Sequence, residues 1–256
     1  MVRLSCRGHA FEPVAAVVFD KDGTLADVAE YLKELAIARA AAVADHFPNL
    51  KQLLLQAFGV RGEHLDAGGL QAVGTRQENL IAAAALVASQ GVSWIAALEL
   101  VSTAFEAAEL KFTTKAALTP PLPRVIELVQ QLHGMNCALA IISGDRRSEI
   151  EAFLDTYHLK PFFQCWQGGD EPPTKPDPQV LLRVCDRLGV RPNQTVVIGD
   201  ADSDGLMAQR GGAAGSIGVT WGWPSPPKLN CFDCLATSPL EIQIALDPRT
   251  ERNSCG

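Results

Sequence analysis

The segment that most constrains this chain is the apolar run Ala15-Ala16-Val17-Val18-Phe19, together with Asp20-Lys21-Asp22-Gly23-Thr24-Leu25 directly after it. The apolar run predicts a buried strand. Two aspartates follow it, two residues apart, with a glycine that lets the chain turn away sharply. In α/β sheets, ligands bind beyond the carboxyl ends of strands. Two carboxylates in such a place repel each other unless a cation lies between them, and Mg²⁺ is a cation that prefers oxygen ligands.

Three further polar clusters occur later in the chain. In Ile141-Ile142-Ser143-Gly144-Asp145 a hydroxyl follows a predicted strand, and the next helix offers its first N–H groups to an anion. In Pro173-Thr174-Lys175-Pro176-Asp177-Pro178 the prolines stiffen a loop around an ammonium group that can neutralise carboxylates and bind phosphate. In Val196-Val197-Ile198-Gly199-Asp200-Ala201-Asp202-Ser203-Asp204-Gly205 a predicted strand leads into three alternating aspartates.

Each cluster also has a plainer interpretation. An Asp-Gly pair can close a hairpin, Ser143 can cap the following helix, and Lys175 can lie on the surface of a Pro-rich loop. The last cluster also matches the first half of an EF-hand calcium loop. The twelfth position counted from Asp200 is Gly211 and not the required Glu, and the pattern follows a strand and not a helix. The calcium-loop interpretation is therefore rejected.

The four clusters, in this order, resemble the motifs of the haloacid dehalogenase superfamily, most of whose members are magnesium-dependent phosphohydrolases. The resemblance extends from Val14 to Leu246 and is weakest in the helical block behind the first motif. That block and the segment Gly218-Val219-Thr220-Trp221-Gly222 are similar to the phosphoglycolate phosphatase-like branch. The resemblance thus implies hydrolysis of a small phosphorylated metabolite, with 2-phosphoglycolate as the first candidate.

The resemblance also implies a role for individual residues. Asp20 would be the nucleophile that forms an aspartyl-phosphate, and Asp22 would be the general acid. Ser143 would hold the transferring phosphoryl group and Lys175 would balance charge. The implied ligands of Mg²⁺ are Asp20, Asp22 through its backbone carbonyl, Asp200, and Asp204 either through water or by positioning the lysine. Thr24 and Gly144 are supporting candidates at the substrate, and Asp202 receives no role.

Lys21 departs from the branch, which commonly has an apolar residue there. Because neighbours on an extended segment alternate in direction, we expect its side chain to point away from Asp20. Dehalogenases of the superfamily lack an aspartate equivalent to Asp22, so its presence favours phosphoryl transfer.

Strand and helix patterns alternate along most of the chain and predict an α/β fold, a three-layer Rossmann-like core with a parallel sheet. Residues 27–115 contain no predicted strand and would form an inserted all-helical cap domain. Residues 1–26 and 116–256 would form the core, and the cap would close over the site. We further expect residues 1–13 to be a leader into the first strand, 232–236 to be an edge strand and 239–246 to be a helix.

Composition narrows the class of partner. The chain has 256 residues, 47% of them hydrophobic, and a net charge of −7, which is typical of a globular protein and does not favour nucleic acid as a partner. No apolar run is long enough for a membrane span, and seven scattered cysteines favour a reducing, cytoplasmic location. We expect no membrane partner and a monomer or homodimer.

Two weaker signals remain. Arg76 lies at a predicted loop-to-helix junction of the cap and could bind a substrate carboxylate or a second anion, or could simply be a solvated arginine. The pair Cys231-x-x-Cys234 suggests zinc only faintly, because no second pair follows at finger spacing. Two rival functions stay open: a sugar phosphomutase, and a catalytically idle regulatory protein on this fold.

Overall fold

The computed structural model describes residues 1–112 and 115–247. Within it the chain folds as two compact units. The first unit takes the chain up to Asp27 and resumes at Pro120, and the second is Val28–Thr119. The boundaries expected from the sequence fall after residue 26 and before residue 116.

The first unit is an α/β unit. Its strands are β1 (Val2–Cys6), β2 (His9–Val14), β3 (Ala16–Phe19), β6 (Ala138–Ile142), β7 (Cys165–Gln167), β8 (Thr195–Gly199), β9 (Gly215–Val219), β10 (Cys234–Ala236) and β11 (Ile242–Leu246). The remaining two strands, β4 (Val60–Arg61) and β5 (His64–Leu65), are short and belong to the second unit. The helices of the second unit are α1 (Ala29–Ala44), α2 (Lys51–Phe58), α3 (Leu70–Val73), α4 (Arg76–Ala88), α5 (Trp94–Glu109) and α6 (Lys115–Leu118), and those of the first are α7 (Val125–Gly134), α8 (Arg147–Thr156), α9 (Pro178–Leu188) and α10 (Asp202–Arg210).

Six strands form one parallel sheet in the order β10-β9-β8-β3-β6-β7. The central strands β3 and β8 are buried along their whole length, as their continuous apolar sequences predict. Val18 and Val197 pack against α9 and α10, while Phe19, which points to the other side, meets Phe163 edge-on. Helices flank the sheet, so the predicted α/β fold class is confirmed.

Both ends of the chain differ from their predictions. Residues 1–13, expected to be a leader, contain β1 and most of β2, which ends at Val14. Residues 239–246, expected to be a helix, are a 3₁₀ turn, Pro239–Glu241, followed by β11. β11, β1 and β2 make a separate antiparallel sheet. The reason is tertiary: the partner strand of β1 comes from the far end of the chain, with Val2 opposite Leu246 and Cys6 opposite Ile242. Val2, Leu4 and Cys6 alternate along β1 and are buried.

The second unit is mainly helical. The prediction that it would be all-helical is wrong, because it also contains two short strands. β4 and β5 form a two-residue-per-strand hairpin between α2 and α3. The long helices α1, α4 and α5 pack together through apolar faces rich in alanine. Thr75 starts α4 with a capping box, because its hydroxyl accepts the Glu78 N–H and the Glu78 carboxylate accepts the Thr75 N–H.

Candidate active site

Two neighbouring strands deliver aspartates to the same edge of the sheet. Asp20 directly follows β3 and Asp200 directly follows β8. These strands pair in parallel with Phe19 opposite Ile198, and the Asp20 N–H donates to the Ile198 carbonyl oxygen at 2.8 Å. Residues from distant parts of the sequence therefore meet because parallel strands end at the same edge.

Asp20, Asp200 and Asp204 form a buried acidic cluster. One carboxylate oxygen of each lies within 4.8 Å of the others, and the residues are 6%, 4% and 1% exposed. Lys175 enters this cluster from its loop. Its ammonium contacts an oxygen of Asp20 at 2.5 Å and an oxygen of Asp204 at 2.8 Å. Two of the three carboxylates thus pair with one ammonium group.

This crowding changes the acidity of the cluster. Burial raises the pKa of Asp20 to about 6; Lys175 opposes the rise and the Asp204 carboxylate adds to it. Burial and the charges of Asp20 and Asp204 raise the pKa of Asp200 well above its usual range. Burial alone would lower the pKa of Lys175, but the Asp20 and Asp204 carboxylates outweigh it and raise that pKa.

The donor set fits a hard divalent cation. Converging carboxylate oxygens are the ligands that Mg²⁺ takes, and Lys175 pairs with two of the three carboxylates, those of Asp20 and Asp204. Asp22 does not contribute its side chain to the cluster. The role of the Asp22 backbone carbonyl at the metal stays a prediction.

Lys21 is an unusual element of the first loop. It is only 1% exposed, and its ammonium is paired with the carboxylates of Asp22 and, at 2.7 Å, of Asp145. The same ammonium lies 5.3 Å from the centre of the Phe153 ring. Lys21 therefore links the loop after β3 to the loop after β6. Sequence reasoning did not identify Asp145, which carries no signal beyond its place after Gly144.

The predicted phosphoryl-binding loop follows β6. Ser143 is 4% exposed, and its hydroxyl accepts the Asp145 N–H at 3.1 Å. Helix α8 has its N-cap at Arg146, so Ser143 does not cap that helix. The space beside Gly144 is open, since an added Cβ atom would meet nothing within 4 Å.

Thr24 and a tryptophan hold the Asp200 carboxylate. The Thr24 hydroxyl donates to Asp200 Oδ1 at 3.2 Å, and the Trp223 indole N–H donates to Asp200 Oδ2 at 2.5 Å. Sequence analysis did not identify Trp223 as a residue of the site. Gly23 has φ +78°, and a Cβ atom there would come within 2.2 Å of Asp200 Oδ2. Only glycine fits this turn.

Asp202 and Asp204 are only two residues apart but contact different parts of the protein. Asp204 Oδ2 accepts the Ala201 N–H, while its other oxygen pairs with Lys175. Whether Asp204 acts by positioning the lysine or through a water stays a prediction. Asp202 Oδ1 accepts the backbone N–H groups of Asn230 and Cys231 at 2.8 and 3.1 Å. Asp202 therefore anchors the loop after β9, a contact that sequence spacing could not reveal.

Arg76 lies in the helical unit, at the start of α4. Its Nε donates to both oxygens of Glu109, at 2.9 and 3.0 Å, and Arg39 shares the same carboxylate at 2.5 Å. The substrate-binding role proposed for Arg76 stays a prediction.

The six cysteines within the described residues are free thiols, and Cys231 and Cys234 belong to no candidate metal-binding group of those residues. Cys255 lies outside the described residues. In the described parts of the chain, no helix combines the length and the apolar character needed to cross a bilayer.

The sheet order, the inserted helical unit and the acidic cluster together define a haloacid dehalogenase-like hydrolase. A family model for haloacid dehalogenase-like hydrolases matches residues 14–212, and the chain belongs to this family. A phosphoglycolate phosphatase of Pseudomonas fluorescens Pf-5 is 30% identical over 211 residues, which cover 81% of this chain and 70% of that protein.

Other relatives match a smaller region. A probable phosphoglycolate phosphatase of Pseudomonas putida is 33% identical over 107 residues, 41% of this chain and 42% of that protein. The chain therefore matches about two fifths of the length of such relatives. Among solved structures, a predicted phosphoglycolate phosphatase from Haemophilus somnus 129PT superposes with a TM-score of 0.65 at 20% identity, covering 87% of this chain and 93% of that one. This likeness supports the fold.

Proposed function

We propose that this protein is a magnesium-dependent phosphatase that hydrolyses a small phosphorylated metabolite through an aspartyl-phosphate on Asp20, with 2-phosphoglycolate as the first candidate substrate. The observation that carries the proposal is the buried cluster of Asp20, Asp200, Asp204 and Lys175 at the carboxyl ends of β3 and β8. The name of the Pseudomonas fluorescens relative supports the choice of substrate.

Each residue has a defined task in the proposed reaction. The Asp20 carboxylate attacks phosphorus, the ester oxygen leaves with a proton from Asp22, and water then cleaves the acyl phosphate with Asp22 as base. Ser143 and the neighbouring backbone hold phosphoryl oxygens, and Lys175 keeps Asp20 oriented. Asp20, Asp200 and the Asp22 carbonyl would hold Mg²⁺, and the bound ion would supply positive charge that reduces the repulsion between the Asp20 carboxylate and the phosphate. The Lys21–Asp22 ion pair must open before Asp22 can reach the leaving group.

The first experiment measures phosphate release from para-nitrophenyl phosphate and from a panel that includes 2-phosphoglycolate, with Mg²⁺ and with a chelator. We expect turnover only with Mg²⁺ and only with an intact Asp20. Asp20→Asn should abolish turnover, while Asp186→Asn, which changes an exposed aspartate in α9, should match wild type. A chelator-insensitive activity, or an active Asp20→Asn variant, contradicts the proposal.

A second experiment identifies the intermediate. Acid quenching during turnover followed by borohydride reduction should convert the modified Asp20 to homoserine, detectable by peptide mass spectrometry. Free phosphate as product distinguishes the phosphatase from a sugar phosphomutase, which would return the phosphoryl group as an isomerised sugar phosphate. Complete absence of turnover and of modified Asp20 across the panel would favour the idle regulatory alternative.

The free thiols fit the predicted cytoplasmic location, which cell fractionation would test.

A further inference from the structure

The segment after β9 lies directly on the turn that carries Gly23. A Cβ atom added to Gly222 would come within 2.0 Å of the Gly23 carbonyl oxygen, so the two backbones are in close contact. The indole of Trp221 donates to the Thr24 carbonyl oxygen at 3.0 Å. The chain is thereby fixed on both sides of Gly222, and Trp223 enters the acidic cluster in one orientation.

The only hydrogen-bond donor of the Trp223 side chain, its indole N–H, donates to a carboxylate. The residue is 6% exposed, and its N–H bonds to Asp200 Oδ2 at 2.5 Å. Thr24 bonds the other oxygen of Asp200. Each oxygen of this carboxylate thus has one fixed donor, and rotation of the group about its last bond would break both.

We infer that Trp223 is a positioning residue for the divalent cation, which holds the Asp200 carboxylate in the orientation that binds the metal. This inference rests on the proposed metal-dependent function. Carboxylates that bind metals are commonly held by hydrogen bonds from neighbouring groups, and loss of such a group typically weakens metal binding. An indole donor is suited to a buried site because it adds one hydrogen bond without adding charge.

The decisive measurement is Mn²⁺ affinity, followed by electron paramagnetic resonance of free Mn²⁺ in the absence of substrate. Loss of an orienting donor lowers metal affinity by about 10- to 100-fold. We therefore expect Trp223→Phe to raise the Kd for Mn²⁺ by that factor. Trp166→Phe is the matched control, because the Trp166 indole also donates to a carboxylate, that of Glu151 at 3.0 Å, within the same unit. The control should retain the wild-type Kd.

A second measurement tests the hydrogen bond in the intact protein. The chain has four tryptophans and therefore four indole ¹H–¹⁵N resonances, and the one missing in Trp223→Phe identifies Trp223. We expect Asp200→Ala to shift this resonance and Mn²⁺ to broaden it, while the Trp166 resonance should not shift in Asp200→Ala. This test does not depend on the folding of a Trp223 variant beyond the assignment.

The outcomes separate the two proposals. Wild-type protein that fails to bind Mn²⁺ overturns the metal-dependent function itself. Wild-type protein that binds Mn²⁺, with an unchanged or tighter Kd in folded Trp223→Phe, overturns the role of Trp223 alone. An Asp200→Ala variant that leaves the Trp223 resonance in place also overturns that role. Weaker binding in Trp223→Phe with unchanged binding in Trp166→Phe supports it.

Discussion

The helical unit offers a measurement of how much one partly buried carboxylate, that of Glu109, stabilises it. Glu109, in α5, accepts hydrogen bonds from Arg39 at 2.5 Å and from Arg76 at 2.9 Å. The Arg39 side chain is 6% exposed, stacks 4.7 Å from the centre of the Phe105 ring and donates to Gln71. Glu109→Gln would leave this guanidinium buried opposite a neutral amide.

The loss of stability expected for Glu109→Gln depends on how deeply the ion pairs of Glu109 are buried. Removing one partner of a fully buried ion pair costs about 3–5 kcal/mol. The Glu109 side chain is 27% exposed, so water screens part of the charge, and the Arg76 contact, equally exposed, adds at most about 1 kcal/mol. We expect Glu109→Gln to destabilise the helical unit by about 2–3 kcal/mol.

Hydrogen exchange of α1 and α5 peptides by mass spectrometry measures this locally, without assuming two-state unfolding of a chain with two units. Since 1.4 kcal/mol is a factor of ten, amides that exchange through opening of the unit should exchange about 30- to 150-fold faster. Glu106→Gln is the matched control. Glu106 lies three residues earlier in the same helix, is exposed and accepts from the Ser102 hydroxyl at 3.2 Å, so its loss should change stability by less than about 0.5 kcal/mol.

The stabilisation that Glu109 provides should decrease as the pH falls. Burial raises the pKa of Glu109, but hydrogen bonds from Arg76 and Arg39 outweigh it, so the pKa is lowered in the folded protein. The stabilisation is therefore complete above the carboxyl pKa of the unfolded chain and is lost as the pH falls through the lower folded value. The difference between wild type and Glu109→Gln should shrink below about pH 4. Equal exchange rates in Glu109→Gln and Glu106→Gln at pH 7 would refute the reasoning.

Three further predictions concern single side chains. Gly23→Ala should lower turnover at least about 100-fold, because a Cβ atom 2.2 Å from Asp200 Oδ2 must displace that carboxylate. Gly91→Ala is the control for the strain of a positive φ, because its Cβ atom meets nothing within 4 Å. Equal kinetics for the two variants would contradict this prediction. Thr75→Ala should destabilise the helical unit by about 1 kcal/mol through loss of the α4 cap, measured by exchange of α4 amides, whereas Thr75→Ser should restore it. Lys21→Met should lower the melting temperature, because the largely buried Asp145 carboxylate loses its ammonium partner; an unchanged melting temperature would mean that solvent screens this pair.

The sheet and its acidic edge were largely predictable, for a local reason. β3, β6 and β8 are continuous apolar runs, and each ends where a polar cluster starts. Strands of a parallel sheet end at one edge, so the grouping of Asp20, Asp200 and Lys175 could be expected before any coordinates were known. The antiparallel partnership of β1 with β11 could not, because it depends on pairing between the two ends of the chain.

The sequence alone determined which groups have chemistry to offer: a pair of aspartates in a glycine turn, a lysine between prolines, and an alternating acidic run after a strand. Those features are local, since strand formation and turn geometry depend on neighbours in the chain. Only the tertiary structure decided how each group is used. It directs Asp204 to Lys175 but Asp202 to a distant loop, buries Lys21 between two carboxylates, and brings Trp223 onto Asp200. These contacts join segments far apart in sequence, and a hydrogen bond of this kind depends on a separation and direction that no residue pattern records.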